Sequence, residues 1–530
     1  MDNRAITLRS SRSMREILPS AGVTAGAAAM GKRAKWTLGN SLWSFWCRRG
    51  AITTLMIFLF LGCPAVSAAA DKPPQPRMLK VLFFDYRSIE RMKGFDRKVF
   101  TPIPYKGNPI FLSTPLETNS IYLYGAVVRH RSTGLWQMWY TAINKGRWVL
   151  AYAISKDGIT WQRPNLDVIK RDGHDTNFVF DENPQGAAII YDRADPRPGW
   201  KYKMICGAAP SGYFSVYRSA DGIHWVAAAK NPVINTDPDC PMGLVREPDG
   251  KYVAYLRPRA GDRRIGRSTS WDFIHWSRIR MVLDQSPQDP PQTQFYGMGV
   301  FPYGGYQLGT LWIYHTYASD MGIGKMDGHQ EPELAYGRSG YAWHRLARGT
   351  PWIKLGAKGS WDWGLIEPAC QPVMLKSQIR FYFAGSRTSH GFNVMTWKKA
   401  QPRCGVGFVS IKPDRFVGLV AAHTGRLLTR PLWIEVPKFY VNAKVAPGGS
   451  IRVELTNVAG DTMPGFNLKE CVPVTGDSLH HQLRWLNNPN TASLANHNLR
   501  FRVVARHATL FAIESGPKSE LADYWRFRIP

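Results

Sequence analysis

The hydrophobic residues of the chain recur in short segments that are typical of β-strands. Between residues 80 and 420, an apolar segment such as Ala187–Tyr191 is followed by an aromatic-rich one such as Trp200–Ile205, and this order repeats. A third segment leads into a turn, and the fourth and last segment of each repeat begins with a Trp. Short apolar runs between turn signals predict strands, and no long stretch with helical spacing of apolar residues occurs in this range. The pattern predicts an all-β fold.

One motif recurs along this part of the chain and sets the length of the repeat. Ser155–Trp161 reads SKDGITW, Ser219–Trp225 reads SADGIHW and Ser270–Trp276 reads SWDFIHW. A weaker copy ends at Trp343, and a fifth echo lies at Ser410–Phe416. The first four of these Trp residues are 64, 51 and 67 residues apart. This period is suited to four-stranded propeller blades with variable loops, so five blades are predicted.

The Asp residues of the motif are predicted to be structural. An Asp side chain can accept a hydrogen bond from the backbone two residues further on, and Gly takes the positive φ angle of a tight turn. We therefore assign Asp157, Asp221 and Asp272 to turns and not to catalysis.

Near residue 425 the pattern changes to a strict alternation. Apolar and polar residues alternate through Ile451–Leu455. A period of two predicts half-buried antiparallel strands, and about 100 residues of this pattern are typical of a β-sandwich. The chain is therefore predicted to be a five-bladed β-propeller over residues 71–425 followed by a β-sandwich over residues 426–530.

Residues 1–70 are predicted to be a signal or targeting segment. An apolar run at 51–62, too short for a typical membrane span, follows two arginines and precedes a small-residue stretch at 65–70. This is the order of regions in a secretory signal peptide. We expect a secreted or periplasmic protein with no integral membrane domain after cleavage. A lipid anchor at Cys63 and an uncleaved anchor are the alternatives.

The chain is strongly basic. The formal net charge is +29, and residues 1–70 account for +7 of it, which leaves +22. Such a charge attracts polyanions, and an exported protein would meet acidic or sulfated polysaccharides or envelope lipids first. A basic surface without a specific partner is the alternative. No Lys/Arg block or RNA-binding motif is present, so no nucleic-acid partner is expected.

Cysteines and short motifs give no sign of a metal or cofactor. Five cysteines follow the targeting segment, and none forms a C-x-x-C pair. A zinc site is therefore not expected, whereas one or two disulfides are possible in an oxidising compartment. The sequence also contains no phosphate-binding loop, dinucleotide fingerprint or H-E-x-x-H motif. We predict that no cofactor is required.

Several segments resemble a known group of enzymes. They are Gly107–Ile110, Pro115–Glu117, Trp136–Tyr140, Ser155–Trp161, Lys201–Met204, Lys251–Tyr255 and the Thr429–Leu432 run. Together they resemble the five-bladed propeller glycosidases of glycoside hydrolase families 32, 43, 117 and 130, and most of all the secreted bacterial family 32-like proteins. The resemblance implies carboxyl groups at the mouth of a central channel that cleave glycosidic bonds.

Candidate site residues follow from this resemblance. Acids at or before the inner strand of each blade would face the channel, and the catalytic candidates are Glu117, Asp175, Asp239 and Glu367. Substrate-binding candidates are Asp85, Tyr296, His390 and Arg257. Any of these acids could instead be a loop carboxylate that is ion-paired to a nearby Arg.

The chain also departs from the better-studied families. It has no Trp-x-Asn-Asp-Pro-Asn-Gly start, no Arg-Asp-Pro motif and no Glu-Cys acid motif. We therefore expect a glycoside hydrolase acting on a plant or algal glycan, with an oligo- or polysaccharide as its partner. A non-catalytic glycan-binding or scaffold propeller is the main alternative, and a sialidase-like or lyase-type enzyme is the third.

Overall fold

The structure is a computed structural model that describes residues 78–208, 213–234, 240–258, 262–316, 327–391, 404–487, 489–517 and 527–528. Its regular elements are β-strands with a few single-turn 3₁₀ helices, which confirms the all-β prediction. The predicted targeting segment 1–70 lies outside the described residues. Within the described ranges, no helix has the length and apolar character needed to cross a membrane.

Three antiparallel sheets follow one another along the first half of the chain. Sheet one contains Ile121–Tyr122, Val127–Arg129, Trp136–Asn144, Arg147–Ser155, Trp161–Gln162 and Phe178–Phe180, and a separate hairpin joins Leu166–Arg171 to His174–Thr176. Sheet two contains Gln185–Tyr191, Tyr202–Ala208, Tyr213–Ser219 and Val226–Ala227. Sheet three contains Pro241–Arg246, Tyr252–Leu256, Ile265–Ser270 and Arg280–Leu283.

Sheet four has ten strands in two halves. The first half contains Thr293–Tyr303, Tyr306–Thr316, Gly328–Gly337 and Trp343–Arg345. The second contains Leu365–Pro368, Val373–Met374, Ile379–Ser386 and Cys404–Ile411, and it is completed by the early strands Ile103–Pro104 and Phe111–Leu112. A single parallel pairing between Gln330 and Leu365 joins the halves.

A short segment of the second half touches the first strands of its neighbours. Cys370 Sγ donates a hydrogen bond of 3.3 Å to the Ile189 carbonyl in sheet two. The Gln371 amide donates one of 2.7 Å to the Leu244 carbonyl in sheet three. A Cβ added to Gly299 would lie 2.8 Å from the Ala369 carbonyl oxygen, so only glycine allows this approach. The first strands of these sheets therefore meet at a common centre.

The repeated motif forms the turns that the sequence predicts. Ser155 Oγ bonds Asp157, whose Oδ1 accepts hydrogen bonds of 2.7 and 2.8 Å from the two backbone amides at 159 and 160. Asp221 and Asp272 make the same bonds in their repeats. In the third copy Phe273 has a positive φ angle of 69°, and Gly158 has 71° at the same position of the first copy. The Asp residues are structural, as predicted.

Sheet five has nine strands and combines both ends of the described chain. Its strands are Met78–Leu82, Ile89–Lys93, Asp96–Val99, Val417–Thr429, Leu432–Ile434, Phe439–Thr456, Asp477–Gln482, His497–Ser515 and Phe527–Arg528. The strands at 78–99 thus pair with strands between residues 417 and 528, although the sequence predicts them to be part of the propeller. The predicted boundary at 425 falls inside the Val417–Thr429 strand.

A buried ionic cluster ties the first strand to the rest of sheet five. Lys80 Nζ lies 2.9 Å from Asp414 Oδ2 and 2.8 Å from Glu514 Oε1, and all three side chains are fully buried. Burial alone would lower the pKa of Lys80, but the two carboxylates outweigh burial and the pKa lies above its ordinary value. Lys80 is therefore a cation inside the protein.

All five cysteines of the described residues are buried, and none of them forms a disulfide with another. They are Cys206, Cys240, Cys370, Cys404 and Cys471. The disulfides considered from the sequence are absent among them, and burial raises the pKa of each thiol for which a shift is resolved. These residues act as small apolar side chains in the core.

Candidate functional site

A chain of four hydrogen-bonded side chains lies where the first strands meet. Tyr124 donates a 3.3 Å hydrogen bond to Glu367 Oε1. The Tyr124 and Tyr296 hydroxyls are 3.4 Å apart, and the Tyr296 hydroxyl is 2.9 Å from His390 Nε2. None of the four residues is more than 5% exposed. We call these four residues the relay cluster.

Local irregularities of the strands place the two tyrosines. Tyr124 lies in the break between Ile121–Tyr122 and Val127–Arg129, so it is free of the regular pairing. Tyr296 lies at a register shift in Thr293–Tyr303, and such a bulge can re-aim a side chain. The ring of Trp312 stacks near both, with ring centroids 5.9 Å from Tyr124 and 6.2 Å from Tyr296. Packing therefore fixes both hydroxyls.

Glu367 is held in its neutral form by its surroundings. It lies on the buried strand Leu365–Pro368, and burial raises the pKa of its carboxyl to about 8. The Tyr124 hydroxyl, Arg257 and the Gln330 amide lower the pKa, but less than burial raises it. Glu367 is therefore protonated at neutral pH and able to give up a proton.

Two arginines add positive charge to this cluster. The Arg257 guanidinium carbon lies 4.4 Å from the centroid of the Tyr296 ring, and that of Arg263 lies 5.2 Å from it. Arg263 also donates a 2.8 Å hydrogen bond to Gln294. The cluster therefore combines one neutral acid with cations that could bind an anionic group.

The structure brings together four of the predicted residues, which are Glu367, Tyr296, His390 and Arg257. Tyr124, which belongs to the relay cluster, and Gln330, which lies near Glu367, were missed from the sequence. The sequence predicts one apolar strand over Leu123–Val128, and this prediction concealed the separate position of Tyr124.

Glu117 has a different environment, in which it is fully paired. Its carboxylate accepts 2.9 Å hydrogen bonds from Arg163 Nε and Nη2, one from the Tyr140 hydroxyl and one of 2.8 Å from the Thr114 amide. Its side chain is completely buried. This set of donors uses both oxygens, so the contacts argue for the ion-paired alternative over a catalytic role.

Replacing Glu117 by Gln should lower the stability and leave the chemistry unchanged. Arg163 would lose its carboxylate in a partly buried position, and the expected loss is about 2–3 kcal/mol in the free energy of unfolding, measured by urea denaturation. As a control, Asp167→Asn removes an exposed carboxylate and should change the free energy of unfolding by less than about 0.5 kcal/mol. A stable Glu117→Gln protein with no activity would show that Glu117 takes part in the reaction.

The remaining predicted acids do not join the relay cluster. Asp175 lies in an outer hairpin, is 43% exposed and lies 3.2 Å from Lys170. Asp85 follows the first strand of sheet five and pairs with Arg338 at 3.0 Å. The later residues 103–112 pair instead with Cys404–Ile411 in sheet four. Asp239 lies outside the described residues.

Side chains that could ligate a metal are dispersed over the described residues. In those ranges, no group of three or more His, Cys, Asp or Glu side chains could hold an ion. Within the relay cluster, Glu367 and His390 are of these types, and the tyrosine hydroxyls lie between them.

The comparisons with known proteins found similar solved structures only. No protein-family profile and no curated protein matches the chain. A glycosyl hydrolase from Bacteroides ovatus has a TM-score of 0.41 and 15% identity, covering 60% of this chain and 95% of that one. A β-1,2-mannobiose phosphorylase from Listeria innocua has a TM-score of 0.42 and 12% identity, covering 59% and 97%. These scores are too low to assign a reaction to this chain.

Proposed function

We propose that the protein is an exported glycosidase that cleaves a plant or algal glycan, with Glu367 as its general acid. The observation that carries the proposal is the buried carboxyl of Glu367, whose pKa is raised to about 8, at the end of a hydrogen-bonded relay. A glycosidic oxygen needs a proton as its bond breaks, and a protonated carboxyl at neutral pH is the usual donor in glycosidases.

The proposed architecture is a five-bladed propeller with a C-terminal β-sandwich. Sheets one to three and the two halves of sheet four would be the blades, and sheet five would fold over as the sandwich. In support, the segment 369–371 contacts first strands of its neighbours, and the relay cluster is built from residues in or next to strands of sheets one and four. Such a centre is where residues far apart in the chain can act on one bond.

The tyrosines give Glu367 a route by which it can regain its proton. Burial raises the pKa of Tyr124 and of Tyr296, so both remain neutral donors. A proton given up by Glu367 can be replaced along the hydrogen bonds from His390 through the two hydroxyls. Asp239, a catalytic candidate from the sequence, stays a prediction for the second carboxyl group.

Phosphorolysis is the second candidate function. The relay cluster contains one carboxyl group, and hydrolysis needs a second one as base or nucleophile. The Arg257 and Arg263 guanidiniums could instead bind a phosphate ion that attacks the sugar. In that reaction the phosphate replaces the second carboxylate.

Both candidates are tested by incubating the full chain with neutral and uronic-acid oligosaccharides, with and without phosphate. A rise in reducing ends without phosphate is expected for hydrolysis, and sugar 1-phosphate formed only with phosphate would favour phosphorolysis. Asp175→Asn should keep the activity within about twofold, because this exposed carboxylate lies in an outer hairpin. No cleavage of any oligosaccharide under either condition would favour the binding-propeller alternative.

A further inference from the structure

The outer face of sheet five carries a row of cations. Lys93, Arg426, Val504 and Arg452 lie opposite one another on four neighbouring strands. The residues in the adjacent register position, at 427, 503 and 453, point into the core and are at most 1% exposed. Because side chains of a strand alternate between its two faces, the row points outward. Lys93 and Arg426 are exposed.

Further cations extend this face on both sides of the row. Arg91 and Arg502 lie on either side of Leu428, and Arg506 lies between Thr424 and Ser450. We call this surface the basic face, and its cations are Arg91, Lys93, Arg426, Arg452, Arg500, Arg502 and Arg506. Among the described residues, the carboxylates on it are Glu90 and Glu454, so its charge is seven positive against two negative.

Four of these cations have no carboxylate partner among the residues that the structure describes. One of them, Arg452, donates hydrogen bonds to backbone carbonyls at 468, 469 and 471, and the other three are exposed. Arg500 pairs with Glu90 at 3.0 Å, and Arg502 pairs with Glu454. Across the described ranges, by contrast, no carboxylate lies within ion-pair distance of Lys93, Arg426 or Arg506. Lys93 is directly opposite Arg426, and like charges in that position are unfavourable. An anionic ligand on this face would relieve their repulsion.

An aromatic ring lies on the same face. Trp433 is opposite Asn498 and is 50% exposed, and Asn498 shares the strand and the alternation of Arg500 and Arg502. Asn498 and Val504 are six residues apart, about 20 Å along the strand, which is long enough for several sugar rings. An exposed Trp ring offers a flat apolar surface beside hydrogen-bonding side chains.

We propose that the basic face binds an anionic polysaccharide, separately from the relay cluster. The carboxylates of the polysaccharide would pair with Lys93, Arg426 and Arg506, and one sugar ring would stack on Trp433. The choice of a polysaccharide over a nucleic acid or a lipid surface rests on the proposed function and on the exposed ring of Trp433, which can stack on a sugar. A site of this kind would hold a long acidic chain near the enzyme.

The test measures binding of polygalacturonate to the full chain by calorimetry at 50 and 200 mM NaCl. The Lys93→Gln/Arg426→Gln/Arg506→Gln protein should bind about tenfold more weakly at low salt, since three surface charge pairs are lost. The control Lys156→Gln/Lys358→Gln/Lys376→Gln removes the same charge from exposed positions elsewhere and should change affinity less than threefold. Trp433→Ala should also weaken binding, whereas dextran, which is neutral, should not bind.

Several results would overturn the proposal. These are equal losses in both triple variants, no binding of polygalacturonate by the unaltered chain, or equally tight binding of single-stranded DNA or phosphatidylglycerol vesicles through the same residues. Binding and catalysis can be measured separately. The triple variant at 93, 426 and 506 should cleave short oligosaccharides at the same rate as the unaltered protein. If the unaltered chain binds polygalacturonate but cleaves no oligosaccharide, the proposed reaction is contradicted and the basic face remains supported.

Discussion

Replacing Glu367 by Gln should reduce kcat for glycan cleavage by about 10²- to 10⁴-fold and change KM little. Gln keeps the size of the side chain but has no acidic proton, and general acid catalysis contributes a factor of this order. In the unaltered protein, Glu367 has a pKa of about 8, so it loses its proton at alkaline pH. The rate of the unaltered enzyme should therefore fall as the pH rises through about 8, measured as kcat against pH.

Two controls separate this role from a structural one. A substrate with a nitrophenolate leaving group needs little protonation, so Glu367→Gln should slow its cleavage much less than that of the natural linkage. Glu117→Gln removes a carboxylate that is equally buried, and its kcat should stay close to normal at a temperature where it is folded. Equal losses for both leaving groups, or for both variants, would contradict the assignment of Glu367.

Replacing Lys80 by Met should cost about 3–5 kcal/mol in the free energy of unfolding. The substitution leaves Asp414 and Glu514 buried without the cation that both contact, and an uncompensated buried charge carries a penalty of this size. Without Lys80, the folded-state pKa of these carboxyls would lie above the unfolded value. The stability deficit should therefore be small at low pH and grow as the pH rises from 5 to 8.

Urea denaturation at several pH values measures this deficit. Adding Asp414→Asn and Glu514→Gln to Lys80→Met should recover most of the lost stability, because the charges that lacked a partner are then gone. Lys438→Met, at an exposed position, should change the stability by less than about 0.5 kcal/mol. A Lys80→Met protein of unchanged stability would show that the ionic cluster contributes nothing net.

The sequence predicted features that depend on local contacts. The turns could be predicted because Ser155 and Asp157 bond within a few residues of themselves. Glu367 was selected because it lies next to the inner strand of a predicted blade, and strand positions follow from the local sequence pattern. The all-β class followed from short apolar segments, which depend on the same local pattern.

Features that depend on distant partners could not be predicted. Glu117 and Glu367 looked alike as acids next to inner strands, and the difference is Arg163, which lies 46 residues from Glu117. Tyr124 was missed because Leu123–Val128 was predicted as one strand, whereas a break in pairing frees this side chain. The membership of residues 78–99 in sheet five depends on pairing with strands at the other end of the chain.

The early strands also determine when the protein can finish folding. Asn108 bonds the backbone of Phe408, 300 residues later, and Lys80 reaches Asp414 across 334 residues. During synthesis, which runs from the N-terminus, these strands must wait as open edges until their partners have emerged. We infer that sheet five forms late and slowly, as is usual for topologies with distant contacts. Holding its first strands away from other chains in that interval is a task for chaperones.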